Sequence, residues 1–203
     1  MKLFQDFARR NYIRPVILEL GGKNPAIVPR NADLEQAANG IVRSAFGLQG
    51  QKCSAASRIL VEEPVYDELT ARLKDLTEKL TIGDPTERQT FLGPVINQSA
   101  YEDFKNFSEE LSQAGRFLTG GKTLNSHLAR GYFCQPTLAV DVPFSHPLWQ
   151  QEMFLPIATV GRVKNLDEAM QIANSVNYGL TAGFYGSDEE VNWFFDNIEA
   201  GVS

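Results

Sequence analysis

The chain contains 203 residues, of which 43% are hydrophobic, and its 19 basic and 25 acidic side chains give a formal net charge of −6. A polypeptide of this length can bury a substantial core as one domain or two small ones. The acidic balance, without a basic stripe, argues against nucleic acid or an anionic membrane as a main partner. No apolar run approaches the ~20 residues that a membrane-spanning helix needs.

The first part of the chain predicts two short extended segments followed by a helix. The extended segments are apolar runs at residues 15–20 and 25–28, and a Gly-Gly turn separates them. Glu19 is an acid among the apolar residues of the first run. A capping pattern begins at Asp33, and apolar residues then recur at helical spacing to about Gly47.

The rest of the chain alternates predicted strands with predicted helices. The strands are expected at residues 57–62, 116–119, 132–140, 157–163 and 180–185. The helices are expected to begin near Pro64, Asn97, Asn165 and Ser187. This alternation predicts an α/β fold with three layers, in which helices cover both faces of a largely parallel sheet. Pro136 is expected to place its strand at a sheet edge or a bulge.

The few cysteines and histidines limit the disulfide bonds and metal sites that the chain can form. Two cysteines, Cys53 and Cys134, do not make a disulfide framework, so both are expected to be free in a reducing compartment. The histidines, His127 and His146, have no partners at ligand spacing, so no metal site is expected. The first ten residues lack the hydrophobic region of a signal peptide, and a cytoplasmic location is expected.

The stretch from Phe46 to Arg58 presents Cys53 from a loop between a predicted helix and a predicted strand. Gly47 and Gly50 allow the backbone to turn sharply before the thiol, and small residues follow it. Lys52 precedes the thiol and Arg58 follows it, and nearby cations favour the reactive thiolate. A lone cysteine is more often a small buried hydrophobe, and local chemistry alone leaves that alternative open.

Two motifs, at the spacing that the family shows, resemble signatures of the aldehyde dehydrogenase superfamily. They are Leu18-Glu19-Leu20-Gly21-Gly22-Lys23 and Gly50-Gln51-Lys52-Cys53-Ser54-Ala55. Further matches occur at residues 131–137, 151–154 and 177–182, so the likeness extends from about residue 15 to the end. Within the superfamily, the cysteine motif is most similar to 1-pyrroline-5-carboxylate dehydrogenases, which oxidise glutamate semialdehyde to glutamate.

The resemblance implies a role for five residues. Cys53 would be the nucleophile that attacks the aldehyde, and Glu19 the base that activates water, a task that suits a carboxyl in an apolar setting. Glu152 would hold the ribose hydroxyls of a nicotinamide cofactor, and Phe154 would pack beside its ring. Ser54 would help hold the α-carboxylate of the substrate. Without the resemblance, the two acids would be taken as solvated, Phe154 as core, and Ser54 as bonded to its own backbone.

Members of the superfamily are about twice as long as this chain. The resemblance therefore implies that residues 1–14 connect from a missing nucleotide-binding domain and that residues 15–203 are a thiol-bearing catalytic domain, cut short at its C-terminus. It implies NAD or NADP, a small aldehyde substrate and a homo-oligomer for the parent enzyme. The isolated chain is expected to bind no cofactor and to oxidise no aldehyde. If the natural N-terminus is missing, the absence of a targeting peptide from this sequence carries no information.

Three alternatives remain at this point. The parent enzyme could oxidise another aldehyde, or Cys53 and Glu19 could act without a cofactor as a thiol esterase. The chain could also be a non-enzymatic module whose exposed sheet edges associate with one another. Fast reaction of Cys53 with iodoacetamide would favour the catalytic interpretations over the last one.

Overall fold

The computed structural model describes residues 5–7, 9, 19–124, 128 and 130–202. Most of the segment at residues 1–14, residues 15–18 of the first predicted strand, His127 and Ser203 lie outside the described residues. The strands are β1 (Asn24–Val28), β2 (Ala56–Glu62), β3 (Arg116–Thr119), β4 (Thr137–Val140), β5 (Ile157–Val163) and β6 (Gly183–Phe184). The helices are α1 (Leu34–Phe46), α2 (Glu63–Glu78), α3 (Gln98–Ala114), α4 (Leu166–Asn174) and α5 (Asp188–Asn197).

The strands form one sheet in the order β3-β4-β5-β2-β1-β6. Every neighbouring pair is parallel except β3 and β4, which confirms the predicted, largely parallel sheet. The predicted strands at 132–140 and 180–185 are longer than β4 and β6. The bulge alternative expected from Pro136 agrees with a register shift in the pairing of β3 with β4, between Phe117 and Thr119. The edge alternative is wrong, because this proline stands just before β4, which lies between two other strands. At that position its missing N–H removes no bond from the sheet.

Alternation along the strands sends side chains into two separate cores. In β1, Ala26 and Val28 pack in the core that α1 and α2 cover, whereas Ile27 packs in the core that α3, α4 and α5 cover. Leu60 of β2 lies on the same side as Ile27. The three-layer α/β/α fold predicted from the sequence is therefore confirmed.

Most helix starts agree with the capping residues predicted from the sequence. Asp33 accepts hydrogen bonds from two backbone N–H groups of α1, and Asn97 and Asn165 each accept one. Ser187 and Glu190 form a complete capping box at α5. In α5 the side chain of Phe194 is buried, whereas that of Phe195 is 52% exposed.

Four loops meet at one edge of this sheet. Strands β5, β2, β1 and β6 are parallel neighbours, so the segments that precede them lie along the same edge. Those segments contain residues 151–156, 51–55, 19–23 and 177–182, which carry the motifs found in the sequence. Open α/β sheets more commonly bind ligands at the carboxyl ends of their strands. Here the motif residues gather at the opposite, amino-terminal edge.

Candidate active site

Cys53 lies at the centre of a tight turn that precedes β2. The N–H of Ala55 donates to the carbonyl of Lys52 at 3.0 Å, which closes the turn around Cys53 and Ser54. The Cys53 side chain is exposed, whereas that of Cys134 is buried. Burial raises the pKa of the Cys134 thiol to about 12, so this second cysteine stays protonated. Cys53 is therefore the thiol that solvent and small reagents can reach.

A short left-handed segment leads from α1 to this turn. Leu48, Gln49 and Gly50 have φ of 52°, 58° and 66°, a region that costs energy for residues with a side chain. A Cβ on Gly50 would lie 2.2 Å from the carbonyl oxygen of Leu155, so glycine is required there. Gly47 has an ordinary φ of −55° and open space around it, and only the second of the two glycines singled out in the sequence makes the turn.

The Gly21-Gly22 pair brings the segment after Glu19 into contact with two other loops. A Cβ on Gly21 would lie 2.1 Å from Oε2 of Glu152, and a Cβ on Gly22 would lie 2.5 Å from the carbonyl oxygen of Cys53. The N–H of Gly22 donates to Oε1 of Glu152 at 2.8 Å. Only residues without a side chain allow this approach, so the glycines place the three motifs beside one another.

Glu152 and Phe154, which the resemblance implies as cofactor contacts, both lie in the loop before β5. Glu152 is half-buried and bound to Gly22, so it is not a solvated loop acid. Phe154 has φ of 54° and is 43% exposed, so it is not a core residue. Both line a narrow crevice together with Lys52. A carboxylate accepts bonds from sugar hydroxyls and an exposed aromatic ring offers a flat apolar face, so these residues fit a nicotinamide riboside.

The positions of Glu19 and Ser54 do not test the roles that the resemblance implies for them. Within residues 19–124, Glu19 and Leu20 are both exposed, and Leu18 lies outside the described residues. The described neighbours of Glu19 in the chain therefore do not form the apolar setting expected for it. Ser54 is half-buried in the turn next to Cys53. The catalytic role of Glu19 and the substrate-binding role of Ser54 stay predictions.

Asn24, which the sequence analysis did not single out, joins three of the loops. Its side chain is 3% exposed, and its Nδ2 donates to the carbonyl oxygens of Cys53 at 2.8 Å and Ala55 at 2.9 Å. Its Oδ1 accepts from the N–H of Thr181 at 3.1 Å. The sequence signal that could have identified Asn24 is a polar amide at the start of a buried strand, because a buried polar side chain requires hydrogen-bond partners.

The family of the chain is decided by its sequence match. The profile described as "Aldehyde dehydrogenase family" matches residues 1–203. The chain belongs to the aldehyde dehydrogenase family. The resemblance inferred from the glutamate and cysteine motifs is thereby confirmed.

Curated relatives in the aldehyde dehydrogenase family share a name. The 1-pyrroline-5-carboxylate dehydrogenase of Geobacillus kaustophilus is 45% identical over 170 residues, which are 84% of this chain and 32% of the relative. The protein of the same name from Bacillus subtilis is 40% identical over 172 residues, or 85% of this chain and 33% of the relative. The chain thus spans about a third of the length of the curated relatives it matches.

Solved structures of the family agree with the fold. A 1-pyrroline-5-carboxylate dehydrogenase from Thermus with bound NAD has a TM-score of 0.85 and 38% identity, covering 91% of this chain and 35% of that one. Lactaldehyde dehydrogenase from Escherichia coli has a TM-score of 0.85 and 34% identity, covering 91% of this chain and 39% of that one. The described fold is thus that of the family.

Arg58, the cation that follows Cys53 in the chain, is buried in this aldehyde dehydrogenase domain. Its guanidinium is buried and donates to the carbonyls of Lys23 at 2.9 Å and of Ile172 and Ala173 at 2.8 Å each. The last two carbonyls belong to the final turn of α4, where a cation is favourable. These bonds account for the burial of the Arg58 guanidinium, and its effect on the thiolate stays a prediction.

Lys23 is a second buried cation of the site region. Its side chain is 1% exposed, and among the described residues its Nζ has no hydrogen-bond partner. Burial, followed by the nearby charge of Arg58, lowers the pKa of Lys23 to about 7, and the opposing charge of Glu152 raises it in part. Near neutral pH this amine is thus close to its midpoint of protonation.

Within the part of the chain that the structure describes, no group of three or more His, Cys, Asp or Glu side chains is placed to hold a metal ion. No described helix is long and apolar enough to cross a membrane.

Proposed function

We propose that this chain supplies the thiol-bearing domain of an NAD(P)-dependent aldehyde dehydrogenase that oxidises glutamate semialdehyde to glutamate. The observation that carries the proposal is the exposed Cys53 turn in direct contact with the Gly21-Gly22 loop, which Glu152 binds from its other side. The shared name of the curated relatives supports the substrate class. The parent enzyme is proposed to be a cytoplasmic homo-oligomer.

The chemistry begins with the Cys53 thiolate. Its sulfur attacks the aldehyde carbon, a carbon–sulfur bond forms, and the carbonyl oxygen takes up the negative charge of a thiohemiacetal. The backbone N–H of Cys53 is the proposed donor to that oxyanion. A nicotinamide, when bound, supplies the acceptor for the hydride of this carbon, and Glu152 and Phe154 are the residues that would hold it.

Release of the acid requires water. Glu19 is proposed to take a proton from a water molecule, whose oxygen attacks the thioester carbon. The carbon–sulfur bond then breaks, the electron pair returns to sulfur, and the thiolate of Cys53 is regenerated with a carboxylate as product. An exposed position lets Glu19 exchange the proton with solvent between turnovers.

Selective protection of the thiol tests the substrate assignment. Glutamate semialdehyde is expected to slow the alkylation of Cys53 by iodoacetamide several-fold more than butanal does at equal concentration, because it adds an anionic carboxylate that Ser54 can bind. Alkylation is followed by mass spectrometry of the Cys53 peptide. In Ser54→Ala the two aldehydes are expected to protect equally.

Two controls belong to this experiment. Ser112→Ala removes a hydroxyl that donates to the carbonyl of Glu109 on α3, and it should leave the preference intact. Equal protection by both aldehydes in the unaltered chain would contradict the substrate class. The 203-residue chain is also expected to produce no NADH from glutamate semialdehyde, and steady production would contradict the assignment of nucleotide binding to other parts of the parent enzyme.

A further inference from the structure

We propose that Asn24 is a positioning residue for the Cys53 nucleophile, because its side-chain amide fixes the peptide plane that follows the cysteine. The inference takes its catalytic meaning from the proposed function, although its test does not depend on an aldehyde. The amide is 3% exposed, and its donor group reaches two carbonyl oxygens of the Cys53 loop.

Both peptide planes that flank Cys53 are held in place. In a trans peptide the C=O and N–H groups point in opposite directions, and the described chain has no cis peptide bond. The carbonyl of Lys52 is bound by Ala55, so the N–H of Cys53 points away from the inside of the turn. The carbonyl of Cys53 is bound by Asn24, so the N–H of Ser54 points away from β1. Asn24 thus holds the second plane of the segment that presents the thiol.

The local strand pairing explains why a side chain performs this task. The register between β1 and β2 shifts between Asn24 and Pro25, so the regular pairing of the two strands ends there. The carbonyls of Cys53 and Ala55 precede β2 and lie outside that regular pairing, so they require another partner. The amide of Asn24 supplies two N–H bonds across this gap.

The remaining atom of the amide fixes its orientation. Oδ1 accepts from the N–H of Thr181 at 3.1 Å, so donors and acceptor of Asn24 are all engaged. An aspartate would have the same shape but would place an oxygen against the carbonyls of Cys53 and Ala55. It would lose two donors and add a negative charge close to the thiol. Asn24→Asp therefore removes the two hydrogen bonds that hold the turn and hardly changes the size of the side chain.

The test compares Asn24→Asp with Asn39→Asp. Asn39 lies exposed on α1, so its substitution introduces the same charge away from the turn. In Asn24→Asp, the rate constant for alkylation of Cys53 by iodoacetamide at pH 7 is expected to fall about tenfold, and its pH midpoint to rise, because a misplaced turn and a nearby carboxylate both disfavour the reactive thiolate. Asn39→Asp should match the unaltered chain.

A measurement on the unaltered chain covers the case in which Asn24→Asp does not fold. Side-chain amide protons of Asn24 are expected to exchange with solvent at least about tenfold more slowly than those of Asn39, and their resonances to shift when Cys53 is alkylated. Equal exchange, or a folded Asn24→Asp with unchanged rate and pH midpoint, would overturn the proposal. If Asn24→Asp reacts slowly but glutamate semialdehyde gives no selective protection, the proposed substrate fails and the positioning role stands.

Discussion

Replacing Lys23 with methionine is expected to raise the free energy of unfolding by about 1–4 kcal/mol at pH 7. The Lys23 amine is buried without a hydrogen-bond partner among the described residues, and desolvation lowers its pKa to about 7 from 10.5. Methionine has a similar length and requires no partner. Urea unfolding at several pH values measures the difference.

The pH dependence has a definite sign. Between pH 7 and 10.5 the unfolded chain holds the Lys23 proton and the folded chain does not, so stability rises with pH across this window. Below pH 7 both states are protonated and the cost of burial is fully present. We expect the free energy of unfolding to increase by about 2 kcal/mol between pH 7 and 9. This increase should be absent in Lys23→Met and present in Lys79→Met, which replaces an exposed lysine. If the free energy of unfolding still rises with pH in Lys23→Met, the rise comes from a group other than Lys23.

Replacing Arg58 with methionine is expected to lower the free energy of unfolding by about 3–5 kcal/mol, because each buried carbonyl left without a donor costs about 1–3 kcal/mol. The substitution removes three charge-assisted bonds and leaves the carbonyls of Lys23, Ile172 and Ala173 without their donor. Burial lowers the pKa of Arg58 only to about 10, so the cation is present at neutral pH. The measurement is denaturant unfolding at pH 7.

Arg72→Met is the matched control for Arg58. Arg72 forms an exposed ion pair with Glu68 on α2, and pairs of that kind contribute at most about 1 kcal/mol. The two substitutions differ chiefly in burial and in the acceptors lost. If Arg58→Met cost no more than Arg72→Met, the link between β2 and the end of α4 would not be a source of stability.

Local patterns allowed most of the architecture to be predicted. The caps at Asp33, Asn97 and Asn165 depend on residues two or three positions away, so their pattern is visible in the sequence. The three-layer arrangement follows from the alternation of apolar strands with amphipathic helices. Strand lengths were less accessible, since β6 retains only two residues of the expected six.

The site could be predicted only where a motif marked it. Cys53, Glu19, Glu152, Phe154 and Ser54 were proposed through family signatures, and their roles stay predictions. The contacts of Asn24 and Arg58 were not predicted, because their partners lie far along the chain: Arg58 binds the carbonyl of Ile172, 114 residues away. Such contacts cannot be predicted from the residue types alone. The positive φ of Phe154 was also not predicted, because a residue with a side chain rarely adopts that conformation by its own preference.

Cys53 is exposed and Cys134 is buried, so we expect the Cys53 thiol to react first and the Cys134 thiol to be protected. Native chain treated with a limiting amount of iodoacetamide and digested for mass spectrometry tests it directly, with urea-unfolded chain as the reference. We predict label on Cys53 in the native chain, label on both cysteines in urea, and no native label in Cys53→Ala. Native labelling of Cys134 ahead of Cys53, or a Cys53 that reacts only after unfolding, would contradict the account.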